Sequence, residues 1–125
     1  SFTNENADYL VVTTFASWCP LCTEHIRSLS QLLSISSEKF SVVAVNRGEE
    51  PIIVDAYLTE MGLKNTGVVF VRDVEDFVFK SVSGFSMPET MIYSNKGVLI
   101  SHIRTPLTSQ DIAMILDDVR NFKSQ

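Results

Sequence analysis

The chain has 125 residues, 45% of them hydrophobic and 20% charged, which suits one folded domain with a core of its own. Fifteen acidic against ten basic residues leave a net charge of −5, which argues against a nucleic-acid surface. No apolar run reaches membrane-spanning length, no stretch reads as a signal peptide, and two cysteines are too few for a disulfide scaffold.

Residues 1–8 are polar and expected to fray. Tyr9 to Phe15 is apolar or β-branched on both faces, so it is predicted to be a central strand buried on both sides. A helix is predicted from about Cys19 to Leu33. At roughly 100° per residue, Cys22, Ile26, Leu29 and Leu33 share one face. Cys22 then points into the core and Cys19 sits at the exposed mouth of the helix. Glu24, Arg27 and Gln31 fall on the solvated side, and His25 lands beside Leu32 at the edge of the apolar face.

Ser34 to Ser37 reads as a turn, and Phe40 to Val45 as a second buried strand. After the loop Asn46 to Glu50, Pro51 suits a first helical turn, and Ile52 to Met61 is predicted to be a helix stopped by Gly62. Val68 to Val71 is a short strand. Val74 to Val82 reads as helix, although Phe77 and Phe79 also alternate as in a strand. Thr90 to Ser94, the turn Asn95-Lys96-Gly97 and Val98 to Ile103 make a β-hairpin. The last helix begins at Thr108 or Ser109 with a capping-box-like Asp111, and its stripe is Ile112, Ile115, Leu116, Val119 and Phe122. The order predicts one α/β domain over residues 1–125, a mixed sheet with helices on both faces.

Both cysteines lie in Trp18-Cys19-Pro20-Leu21-Cys22, at a strand-to-helix junction. Unpaired N–H groups of a helix start lower a thiol's pKa from ~8.5 towards ~7 or below, which makes Cys19 the candidate attacking thiolate. Cys22, one turn on, is the candidate resolving thiol. Pro20 removes an N–H between them, and Trp18 offers a flat wall beside the nucleophile. A structural cysteine pair is the plain competing reading. A zinc site needs about four ligands, and His25 and His102 are isolated in sequence, so no metal site and no cofactor are expected. Pro88 stands just before a strand. It is either an ordinary strand-start proline or a cis-proline that presents the Met87 backbone to an extended substrate.

Trp18-Cys-Pro-Leu-Cys22, Met87-Pro-Glu-Thr90 and the Asn95-Lys-Gly97 hairpin together resemble the thioredoxin superfamily, over nearly the whole chain. Within it the chain is most similar to the extracytoplasmic ResA/TlpA/DsbE (CcmG) branch. The W-C-P-x-C motif, Glu89-Thr90 after the proline and Pro106-Leu-Thr108 carry that closer likeness. The resemblance implies a thioredoxin-like three-layer fold and a thiol-disulfide oxidoreductase. Cys19 would be its nucleophile, Cys22 its resolving thiol, Pro88 its cis-proline, and Trp18, Pro20 and Met87 its substrate contacts. It further implies protein or peptide disulfides as substrates, with apocytochrome c among them for DsbE-like members. A membrane thiol relay would donate electrons. The protein would be a periplasmic monomer, with an N-terminal anchor expected ahead of Ser1.

Three positions depart from the resembled family's pattern. Thr13 stands where thioredoxins keep a buried acid, and His25 where the ResA/DsbE branch usually has a glutamate. Proton transfer or pKa tuning would then fall to His25, to Glu24 one place earlier, or to neither. Ser86 replaces the usual glycine two residues before the proline. Glu49, Glu50, Asp73, Glu75 and Asp76 read as solvated loops, and Phe77, Phe79 and Phe85 as core rather than groove. Asn46 and Arg47, after a strand on the active-site side, are candidate substrate contacts. A general thioredoxin-like redox protein without a cytochrome role, or a non-enzymatic binding or Cu(I)-chaperone module, are the alternatives.

Overall fold

A computed structural model describes residues 7–35, 38–84 and 87–124. Ser86, Phe85, most of the start expected to fray and part of the serine-rich turn lie outside these residues. Five strands form one sheet: β1 (Tyr9–Phe15), β2 (Phe40–Asn46), β3 (Val69–Arg72), β4 (Thr90–Ser94) and β5 (Leu99–Ile103). Their spatial order is β3-β2-β1-β4-β5, with β1 central as expected. β1 pairs in parallel with β2 and β2 with β3, while β4 runs antiparallel to both β1 and β5.

Side-chain alternation along β1 decides what each face meets. Tyr9, Val11 and Phe15 join the large core cluster, together with Cys22, Ile26 and Leu29. Those three belong to helix α1 (Cys22–Ser30), and Leu32 of the short α2 (Leu32–Ile35) extends the same cluster. The cluster also takes Tyr57 and Leu58 from α3 (Pro51–Glu60) and Ile112, Ile115 and Val119 from α5 (Ser109–Lys123). The opposite face buries Val12, Val43, Val45 and Met91, and it is met by Val78 and Val82 at α4 (Phe77–Ser81). Helices therefore cover both faces, as the element order implied, but one face receives most of them.

Most element bounds fall within a residue of the sequence reading, but two helices differ by more. The helix expected over Cys19 to Leu33 starts at Cys22 and breaks at Gln31. The break coincides with tightened i to i+3 bonds: the Gln31 N–H donates to the Ser28 carbonyl at 3.2 Å and Ser34 N–H to the Gln31 carbonyl at 3.1 Å. Ser30 Oγ competes as well, donating to the Arg27 carbonyl. The helix predicted across Val74 to Val82 shrinks to five residues, because Asp76 before it is left-handed with φ 57°. The last helix starts as predicted, with Thr108 and Asp111 closing a reciprocal capping box.

Candidate active site

Cys19 and Cys22 are joined as a disulfide, with their Cα atoms 5.5 Å apart. Cys22 is the first residue of α1 and is fully buried, as its helical phase predicts. Cys19 corrects the expectation of an exposed thiol. It sits in the turn ahead of the helix, where its carbonyl accepts the Cys22 N–H at 3.3 Å, and only 5% of its surface is open. That small opening gives on to a groove of about 300 Å³. Its walls are Trp18, Pro20 and Leu21 from the motif, and Arg47, Phe79 and Met87 from neighbouring segments. Trp18 is 66% exposed and Leu21 54%, so a large apolar rim surrounds a nearly covered sulfur.

The Met87–Pro88 peptide bond is cis, and Pro88 itself is buried. Arg47, on the groove wall, is held by two residues. Phe79 is buried, as its assignment to the core expects, and its ring also walls the groove with the Arg47 guanidinium carbon 3.6 Å from its centroid. Asp76, assigned to a solvated loop, takes Arg47 Nε at 3.0 Å and Nη2 at 2.7 Å. Only Phe77 of the pair Phe77 and Phe79 is open to solvent.

Glu49, read from the sequence as part of a solvated loop, instead grips the turn before Cys19. It accepts the Ser17 N–H at 2.6 Å and the Ser17 Oγ–H at 2.5 Å, while Asn46 Nδ2 donates to it at 2.9 Å. Desolvation works against its carboxylate, but the donors from Ser17 and Asn46 prevail and hold its pKa below the usual value. Gly48 lets this loop fit. Its φ is 80°, and a Cβ there would lie 3.0 Å from the Val74 carbonyl oxygen.

Thr13 and His25, two of the positions that depart from the resembled pattern, meet each other. His25 Nε2 lies 2.7 Å from Thr90 Oγ1 and 3.0 Å from Thr13 Oγ1. The Leu107 N–H donates to Nδ1 at 3.1 Å, so Nδ1 is the acceptor and the ring proton sits on Nε2. Thr13 Oγ1 in turn donates to the Glu89 carbonyl at 2.8 Å. The expectation of a ring at the edge of the apolar face is therefore corrected: His25 is 2% exposed and tied to β1, β4 and the approach to α5. Burial pushes its pKa down to about 4, against a smaller opposing pull from Asp111. At neutral pH it is uncharged, so it adds no positive charge to help the cysteines ionise. Glu24 is exposed on the solvent side of α1, ion-paired with Arg27.

A buried carboxylate does exist, one residue past the proline. Glu89 is fully buried, with His102 Nε2 2.6 Å from its Oε1 and Arg104 at 3.3 Å. Sequence reasoning used Glu89 only as part of a motif. The signal available was an acid immediately ahead of a largely apolar strand whose hairpin partner carries His102.

No protein-family model and no curated protein sequence matches the chain. Solved structures do. StoA from Bacillus subtilis superposes with TM-score 0.71 at 17% identity, over 88% of this chain and 84% of that one. The fold is thioredoxin-like. A secreted Mycobacterium tuberculosis disulfide oxidoreductase homologous to E. coli DsbE matches this thioredoxin-like chain with TM-score 0.68 at 17% identity, covering 91% and 81%. A thioredoxin-like protein from Aeropyrum pernix matches with TM-score 0.72 at 17% identity, covering 100% and 82%.

Proposed function

We propose that the chain is a thiol-disulfide oxidoreductase that reduces disulfides of exported proteins, apocytochrome c among them. The observation that carries this reading is the Cys19–Cys22 pair, with one sulfur at a groove and the other sealed in the core. In the reduced protein the Cys19 thiolate attacks one substrate sulfur and forms a mixed disulfide, and the substrate's second sulfur leaves as a thiolate. Cys22, deprotonated, then attacks Cys19 Sγ and expels the first substrate sulfur. Two electrons have passed to the substrate, and the protein is left with the Cys19–Cys22 disulfide.

Trp18, Pro20, Leu21 and Met87 form the substrate-facing surface, and the Met87 backbone pairs with an extended substrate strand. A membrane thiol relay restores the dithiol outside the cytoplasm, and the protein acts as a monomer. The likeness to a secreted disulfide oxidoreductase supports that placement. Among the described residues no helix is long and apolar enough to cross a membrane.

The reduction potential tests the direction of flux. Equilibration against a glutathione or dithiothreitol couple should give a value at or below about −270 mV, as a reductant requires. A value near about −120 mV would make the protein an oxidant and overturn the reducing role.

A further inference from the structure

Arg47 is the only charged side chain among the described residues that line the groove at Cys19. Two features hold it still. Its guanidinium carbon lies 3.6 Å over the Phe79 ring centroid, and Asp76 takes Nε and Nη2 in a fork. Asp76 leaves the pair close to neutral, so long-range attraction is weak and short-range donation is what remains. Asp76 engages Nε and Nη2, and among the described residues Nη1, which carries two N–H donors, has no partner. A guanidinium already fixed in this way loses little freedom when it binds an acceptor.

We infer that Arg47 is a specificity-determining residue, donating from Nη1 to a carboxylate side chain next to the substrate cysteine that Cys19 attacks. The rest of the groove, Trp18, Phe79 and Met87 included, is apolar or aromatic and does not distinguish an acidic neighbour from a basic one. The inference rests on the redox reading above, because it concerns the same groove and the same attacking sulfur.

Three disulfide-bearing peptides, identical except for Glu, Gln or Lys beside the target cysteine, test it with the reduced protein. The second-order rate constant should favour the Glu peptide over the Lys peptide by about fivefold to tenfold, a ratio that shrinks as salt is raised. In Arg47→Gln the ratio should fall to about one. Asp76→Asn keeps a residue type that tolerates the left-handed backbone while releasing the competing carboxylate, so the ratio should rise above that of the unaltered protein. Equal rates for the three peptides, or a ratio that survives Arg47→Gln, would overturn the inference. Should Arg47→Gln not fold, an unchanged ratio in Asp76→Asn overturns it instead. If the unaltered protein reduces none of the peptides, the redox reading itself falls. Reduction of all three at one rate removes only the role of Arg47.

Discussion

A Cys22→Ser variant, mixed with a disulfide-bearing peptide, is expected to accumulate a covalent adduct through Cys19, and Cys19→Ser to accumulate none. The reason is accessibility: Cys19 opens on the groove, while Cys22 is sealed beneath it among Ile26, Leu29 and the strand side chains. Without Cys22 the second displacement cannot occur, so the mixed disulfide persists. Either single variant should lose turnover by several orders of magnitude, because both displacements are obligatory steps. Mass spectrometry of the trapped species under non-reducing conditions reads the outcome. An adduct on Cys22 in Cys19→Ser would reverse the two assignments.

Stability should depend on His25 with a definite sign. The ring's folded value of about 4 lies below its ordinary 6.5. Between those values the unfolded chain binds more protons than the native one, so stability rises with pH across that window. Lowering the pH from about 6.5 to about 4 should therefore cost on the order of 3 kcal/mol from this residue alone. Protonation would also place an N–H on Nδ1, facing the Leu107 N–H that now donates to it. Urea unfolding of the wild type and of His25→Gln at several pH values separates this effect from the carboxylates. The variant should be less stable at neutral pH by about 1–3 kcal/mol, and its pH slope between 6.5 and 4 should be flatter. Identical slopes would sink the assignment of the titration to His25.

What the sequence made legible was whatever depends on local spacing. The C-x-x-C pair, the phase that buries Cys22, the hairpin at Asn95-Lys-Gly97 and the Thr108/Asp111 cap are all set within a few residues. The contacts that shape the site are not local. Glu49 reaches Ser17 across 32 positions, and His25 reaches Thr90 across 65. Each depends on strand register and on which loop lies over which strand end. His25 shows why helical phase alone misplaced it. Its position on α1 is at the edge of the stripe, but Thr13, Thr90 and Leu107 close over that edge and make it interior. Arg47 and Asp76 came together through a left-handed residue, a conformation no periodicity argument foresees.

The uneven cover of the sheet also bears on how the molecule breathes. Amide protons in the nine-residue α1 and fifteen-residue α5 are locked behind the larger core, whereas α4 has five residues resting on a few valines. Brief opening should begin at α4, and its amides should exchange with solvent faster than those of the other two. Phe79 belongs to α4 and Asp76 immediately precedes it, so one wall of the groove hangs from the least protected helix of the three. A peptide seated beside Cys19 would then slow exchange in α4 more than anywhere in the sheet, which makes this short helix a reporter of occupancy.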